Sequence, residues 1–242
     1  MTDEIDEYDR LQKIAGQSLY AEDLYLKTLP YCFSIFQRYM VGNSILEMGP
    51  AEGFMTDLLA ECKMDLHVVE ASEAFCRQIQ ARHPDIEISA SLFESYVPSR
   101  NFDNIVLGHV LEHVEDPIAL LTRIKTWLAP GGRVMAAVPN SRSLHRQAGV
   151  IMGMLSFEEA LNDLDKHHGH RRVYNPETFR HDFFAAGLEI ISFGGYFLKP
   201  LSNGQIASSW TPELLDAYLK LGERYPDIAG EIYIVAKARK GS

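Results

Sequence analysis

From Ser44 onward the chain alternates short apolar runs with amphipathic segments, and no other feature limits its fold as strongly. The runs are residues 44–48, 66–70, 86–89, 103–108 and 133–138, each about one strand long. Between them, stretches of helical spacing lie near 53–62, 72–82, 90–97 and 116–128. Strands of this length separated by helices predict a parallel sheet covered on both faces, because a parallel crossover needs a helix to return the chain. Pro130-Gly131-Gly132 reads as the turn just before the fifth strand. Residues 188–193 and 231–238 predict a sixth and a seventh strand.

Both flanks of this region read as helical. Leu24, Thr28, Tyr31, Cys32, Ile35, Phe36 and Tyr39 recur at three- and four-residue steps, which predicts one buried face. Pro30 interrupts that pattern and is expected to divide it into two helices, the second beginning near Pro30. Ile151, Met154, Leu155, Phe157, Leu161 and Leu164 predict an amphipathic helix within 141–170. Residues 178–187 and 212–222 predict two more, the second started by Thr211-Pro212-Glu213.

Composition removes several function classes. A chain of 242 residues is long enough for a full core. Its formal net charge of −10 argues against a nucleic-acid partner, since phosphate binding depends on a basic surface. No apolar run approaches the roughly 18–20 residues of a membrane span. Asp3, Glu4, Asp6, Glu7 and Asp9 are the reverse of a secretory leader. Cys32, Cys62 and Cys76 lack metal-ligand spacing, so neither a disulfide framework nor a zinc cluster is expected. The expectation is a cytoplasmic protein without a bound metal.

The sharpest local feature is ILEMGPAEGF, residues 45–54. A strand ends at Glu47-Met48, Gly49 turns the chain, and Gly53 opens a helix, an arrangement that lets a ligand approach the backbone. The dinucleotide fingerprint is G-x-G-x-x-G, and Ala51 stands where its second glycine would fall. Glu70 closes the next strand about 20 residues on, where an acid can accept from both ribose hydroxyls of an adenosine.

Taken in order, E-x-G-x-x-x-G, the acid Glu70, FDNIVLGHVLEHVEDP, LAPGGRVMAAVPN and GHRRVY carry a resemblance. Together they resemble class I S-adenosylmethionine-dependent methyltransferases, and the nearest branch looks like the ubiquinone-biosynthesis O-methyltransferases. The resemblance covers roughly residues 40–195. It implies a doubly wound, seven-stranded, mostly parallel α/β sheet of Rossmann-like type, the last strand antiparallel. It also implies one domain, with a helical cap over 1–42, a cofactor-binding core over 43–140, and substrate-side insertions and final strands over 141–242.

The resemblance further implies S-adenosylmethionine as cofactor. Glu47, Gly49 and Gly53 would surround its methionine part and Glu70 its ribose. Ala71, Ser91, Leu92 and Phe93 would edge the adenine. Relatives often carry an acid near position 91 for the adenine amino group, and Ser91 is not one. Gly108 and His109 would lie near the sulfonium, where His109 is expected to stay neutral. Residues 17–22 read as a lid, with Tyr20 a cofactor contact and Tyr8 and Tyr25 further candidates, although core packing fits these tyrosines as well.

Deprotonating an acceptor suits histidine, whose pKa lies near 6.5. Residues 166–172, KHHGHRR, form a basic island in an acidic chain. His168 and His170 are the candidate catalytic residues, and Arg171 and Arg172 are placed to recognise a carboxylate or phosphate. A metal held by two of these histidines with Asp163 or Asp165, and a plain solvated loop, are the alternatives. His113 reads chiefly as a local structural residue. Residues 194–211, with Tyr196, Phe197 and Trp210, would wall the acceptor pocket, Tyr196 touching substrate. The expected function is methylation of a small-molecule acceptor, O-methylation ahead of N-methylation. A non-catalytic cofactor-binding protein of the same fold is the alternative. An NAD(P)-dependent oxidoreductase is further away, since no Tyr-x-x-x-Lys occurs in 141–175. Oligomeric state is not readable.

Overall fold

The computed structural model describes residues 23–239. Its elements run α1 (Asp23–Gln37), β1 (Ser44–Met48), α2 (Phe54–Ala60), β2 (Asp65–Glu70), α3 (Glu73–Arg82), β3 (Glu87–Ala90), β4 (Phe102–Gly108), α4 (Pro117–Thr126) and β5 (Leu128–Pro139). There follow α5 (Leu144–Ile151), α6 (Asp163–His167), α7 (Pro176–Ala185), β6 (Leu188–Tyr196), α8 (Asn203–Ser209), α9 (Pro212–Arg224), a 3-10 turn (Pro226–Ile228) and β7 (Glu231–Ala238). The seven strands form one sheet in the order β3-β2-β1-β4-β5-β7-β6. The pairs among β1 to β5 are parallel. β7 runs antiparallel to both β5 and β6, as expected for the last strand.

Alternation along the strands feeds two apolar layers. On one face Leu46, Ile105, Val134 and Ala136 meet Leu121 and Ile124 of α4 and Phe179 and Phe183 of α7. On the other, Ile45, Val106, Met135 and Val235 meet Ile35 and Phe36 of α1, Leu59 of α2 and Leu215 and Leu219 of α9. Burying both faces is what a central parallel strand needs. The order reverses between β1 and β4, so the carboxyl ends of these two strands diverge into a crevice, the usual binding place of such a sheet.

Four local expectations fail for identifiable reasons. Pro30 does not divide the first helix, and α1 is continuous through it. Leu29, Cys32, Ile35 and Phe36 are buried on both sides of it, and that packing outweighs the one bond a proline cannot donate. Where a helix is expected over 90–97, Ala90 ends β3 and residues 91–97 form a loop with a turn at 93–95. Pro130-Gly131-Gly132 lies inside β5, where pairing with β4 jumps from Phe102↔Leu128 to Asn104↔Arg133 and the extra residues bulge out. The amphipathic helix expected around 151–164 is absent: α5 ends at Ile151 and α6 begins at Asp163, leaving Ile151 and Met154 87% and 72% exposed. α8 is a helix the sequence pattern did not announce.

Candidate functional site

The crevice at the switch point is a cleft of about 1150 Å³, counting its open mouth. Its floor is the turn after β1. Gly49 (φ 66°), Ala51 (φ 50°) and Gly53 (φ 81°) all adopt left-handed backbone, which winds the loop tightly around the cleft. A Cβ on Gly49 would come 3.0 Å from Phe93 and 3.1 Å from Val110, the two side chains that pinch the cleft there. At Gly53 a Cβ would lie 2.6 Å from Arg82 and Ile79, so the glycine lets the start of α2 sit directly on α3.

Glu70 reaches under this loop from the end of β2. Its carboxylate accepts from the Ser72 N–H at 2.7 Å and from the Ala51 N–H at 3.2 Å. Burial pushes its carboxyl up to about 7, an effect these N–H donors only partly offset. Glu47, 2% exposed in the middle of the sheet, is pushed up to about 8 by burial, with the charges of Asp57 and Glu70 adding to it. Its Oε2 has no hydrogen-bond partner among the described residues. A buried polar atom left open toward a cleft is a place for a hydrogen-bonding group on a ligand.

The other cofactor residues inferred from sequence divide in two. Glu47, Gly49, Glu70, Ala71, Leu92, Phe93, Gly108 and His109 all line the cleft. Gly53 supports it by packing. Ser91 braces instead, donating its N–H to the Glu70 carbonyl at 3.0 Å and its hydroxyl to the Leu92 carbonyl at 2.9 Å. An acid does line the cleft three residues after Ser91, at Glu94. Tyr20 and Tyr8 lie outside the described residues, whereas Tyr25 lines the cleft and meets the His109 ring edge-on at 5.9 Å.

The opposite end of the cleft is built from the turn after β4 and the segment after α6. His109, His113 and His168 line it. Burial and the neighbouring imidazoles of His170 and His167 lower the pKa of His168, keeping it neutral near pH 7. His170 sits one layer back: its ring meets that of His113 edge-on at 4.7 Å, and its Nδ1 is 3.5 Å from Asp165 Oδ1. Asp165 is fixed by Arg146 at 3.1 Å and by the Asn162 N–H at 3.0 Å. Burial would raise its carboxyl, but His170, Asn162 and Arg146 hold it at about 2.

Glu112, 1% exposed, stands behind this end. Burial would raise its carboxyl, but the imidazoles of His109, His113 and His170 overturn that and hold it at about 2. Donor atoms of Glu112, His113 and His170 lie within 4.8 Å of one another, the set among the described residues that could hold a metal ion. That differs from the sequence alternative, in which Asp163 or Asp165 supplied the carboxylate. Asp163 is fully exposed and Asp165 is bonded to Arg146. The expected neutrality of His109 also meets opposition. Burial disfavours its cation, yet the carboxylates of Glu231 and Glu112 outweigh burial and raise its pKa.

Three substrate-side expectations are corrected by packing. Arg172 donates to the carbonyls of Leu111 at 3.1 Å and Glu115 at 2.8 Å and also to that of Val114. Arg171 donates through Nε to the His113 carbonyl at 3.0 Å, and its own N–H reaches the Glu112 carbonyl at 2.8 Å. Both side chains tie the 111–115 turn to the segment after α6: the terminal nitrogens of Arg172 are engaged by three backbone carbonyls and not presented to an anionic acceptor, and Arg171 is engaged through Nε. Tyr196 is 1% exposed and stands behind His109, its hydroxyl 3.4 Å from Nε2. Trp210 stacks on Tyr218 at 4.5 Å over α9, away from the cleft.

Sequence reasoning undervalued Glu112 and His113 and missed Glu94 and Glu231. The signal for the first pair was present, since V-L-E-H-V follows β4 directly, but only the fold shows that residues 168–170 return to it.

Comparison with known proteins agrees with this geometry. A family model described as a methyltransferase domain matches residues 20–193. A probable S-adenosylmethionine-dependent methyltransferase of Mycolicibacterium smegmatis is 30% identical over 100 residues, covering 41% of this chain and only 39% of its own length. A ubiquinone biosynthesis O-methyltransferase of Acinetobacter baylyi is 22% identical over 173 residues, covering 68% of this chain and 71% of its own. Among solved structures, the N-methyltransferase NodS from Bradyrhizobium japonicum, in complex with S-adenosyl-L-homocysteine, shares the fold at TM-score 0.62 and 14% identity, covering 96% of this chain and 98% of that one. With the family match spanning most of the chain and the cleft at the expected switch point, this chain belongs to the methyltransferase-domain family.

Proposed function

We propose that this chain transfers the methyl group of S-adenosylmethionine to a small-molecule acceptor, with oxygen favoured over nitrogen as the receiving atom. One observation carries the reading: a single cleft joins a ribose-type acid, Glu70, to three imidazoles at its far end. The residues present fit the cofactor. Glu47 offers an unpaired buried oxygen, and the space above Gly49 is one that a Cβ would fill.

When bound, S-adenosylmethionine supplies an electrophilic methyl group on a positively charged sulfur. Glu70 accepts from the ribose hydroxyls while staying anchored on the loop N–H groups. Ala71, Leu92 and Phe93 hold the adenine in an apolar slot with Glu94 at its mouth. His113 and His168 face the acceptor, and the neutral imidazole of His168 takes its proton. His170, backed by Asp165, acts through His113 as a positioning residue. The protein's main contribution is alignment, since holding reactants in line lowers the barrier by several kcal/mol. The preference for oxygen is supported by the relatives matched over two thirds of this chain, which are O-methyltransferases.

The test is to supply S-adenosylmethionine with a panel of phenols, alcohols and amines, follow release of the demethylated cofactor, and locate the new methyl by NMR. Methylation at oxygen is expected. Turnover confined to amines would reject the oxygen preference, and no turnover across the panel with cofactor bound would favour a binding protein.

A further inference from the structure

His109 is an unusual residue for its place at the end of β4. Its φ of 59° lies in the left-handed region, which costs a non-glycine residue about 1 kcal/mol or more. Its ring is nearly buried, with 13% of the side chain exposed. Such a conformation persists only where its surroundings enforce it, and here four elements do. Nδ1 lies 3.4 Å from Glu112 Oε1 in the turn after β4, and 3.9 Å from Oε2 of Glu231, which opens β7. Nε2 lies 3.4 Å from the Tyr196 hydroxyl at the end of β6, and Tyr25 of α1 covers the ring edge. Glu231 reaches this point because β5 pairs with β4 through Gly108↔Ala137 and with β7 through Pro139↔Glu231.

Neither oxygen of Glu112 nor Oε2 of Glu231 has a hydrogen-bond partner among the described residues. Two carboxylates therefore surround one imidazole, and the ammonium of Lys199 offsets part of the charge on Glu231. Lys199 and His170 also face Glu231, and His113 and His170 also face Glu112. An acid on β7 is not needed to orient His109, because Glu112 is already nearer. Its placement makes sense if the cleft must receive a cation beside an imidazole that would otherwise repel it.

We infer that Glu231 is a specificity-determining residue for the charged cofactor: its carboxylate balances His109, so that a sulfonium at the end of β4 is favoured over the neutral thioether left after methyl transfer. The inference rests on the reading that S-adenosylmethionine occupies this cleft. Its consequence is product discrimination. The methylated cofactor is held by an attraction that its product lacks, which limits inhibition by the product.

The experiment is calorimetric titration of S-adenosylmethionine and of S-adenosylhomocysteine into the wild type, Glu231→Gln and Tyr196→Phe, with EDTA present to keep the cleft free of metal. Removing the negative charge that lies 3.9 Å from the His109 ring is expected to raise the ratio of the two dissociation constants about five- to thirtyfold, almost wholly through lost affinity for the cation. Tyr196→Phe alters the same imidazole without changing charge and should leave the ratio unmoved. If Glu231→Gln melts before it can be titrated, Glu112→Gln should move the ratio in the same direction. Equal weakening of both ligands in Glu231→Gln or Glu112→Gln would reduce the acid to a structural role and overturn the inference while leaving the cofactor reading intact. A wild type that binds neither ligand would overturn both.

Discussion

Glu70 offers a prediction in which stability and affinity move in opposite directions. Its folded carboxyl titrates at about 7 against an ordinary 4.5, because burial disfavours the charge. At about 1.4 kcal/mol per pH unit, keeping it ionised in the folded protein costs about 3 kcal/mol. For a carboxyl raised on folding, the stability it contributes is complete below about pH 4.5 and is lost as pH rises through about 7. Glu70→Gln removes that loss. The amide oxygen can still accept from the Ser72 N–H, but its NH2 then faces the Ala51 N–H, which costs about 1–2 kcal/mol. The balance at pH 8 is a variant more stable by about 1–2 kcal/mol, a rise of roughly 3–6 °C in melting temperature for a chain of this size. The same variant should bind S-adenosylhomocysteine about ten- to hundredfold more weakly, through lost charge-assisted bonds to the ribose. The assay is thermal melting of wild type and variant from pH 5 to 8, with calorimetry at pH 8. At pH 5, where most of the burial cost is absent, the variant should be slightly less stable than wild type, by up to about 1 kcal/mol, and the difference should change sign and grow through pH 7. A variant that is destabilised at pH 8 and binds as tightly as wild type would refute the reasoning.

Other expectations follow from packing at the site. Gly53→Ala would have to adopt φ 81° with its Cβ 2.6 Å from Arg82 and Ile79, and should lower stability by about 2–4 kcal/mol in urea unfolding. Arg172→Ala removes donors from three carbonyls of the 111–115 turn and should cost about 2–4 kcal/mol. A variant as stable as wild type but with a raised acceptor KM would return Arg172 to the substrate. His170→Ala should lower turnover while cofactor affinity stays within about twofold, since His170 meets His113 and not the cofactor end of the cleft. Unchanged turnover would remove it from the positioning chain.

The sheet was legible because its information is local. Each strand from β1 to β7 carries its own run of apolar residues. The part of the cleft at the ends of β1 and β2 was legible for the same reason, since residues 47–53 and Glu70 are set by a strand end and the turn that follows it. The end with the histidines was not. Arg171 and Arg172 look like free charges in the sequence, and only the return of residues 168–172 to the 111–115 turn shows which carbonyls they bond. Tyr196 sits in a stretch read as an insertion, yet β6 continues to it and buries it against His109. Helical periodicity around 151–164 misled because a pattern of apolar residues does not reveal that Arg146 ties the segment at Glu158 and Asp165 instead. Glu231 reaches the site only across β5, a relation no spacing in the chain records.

The most direct measurement is calorimetric titration of the purified chain with S-adenosylhomocysteine and, separately, with NAD. The account predicts one site per chain with micromolar affinity for S-adenosylhomocysteine, weakened when Glu70 is replaced by alanine, and no heat from NAD. Binding of NAD with none of S-adenosylhomocysteine would contradict it.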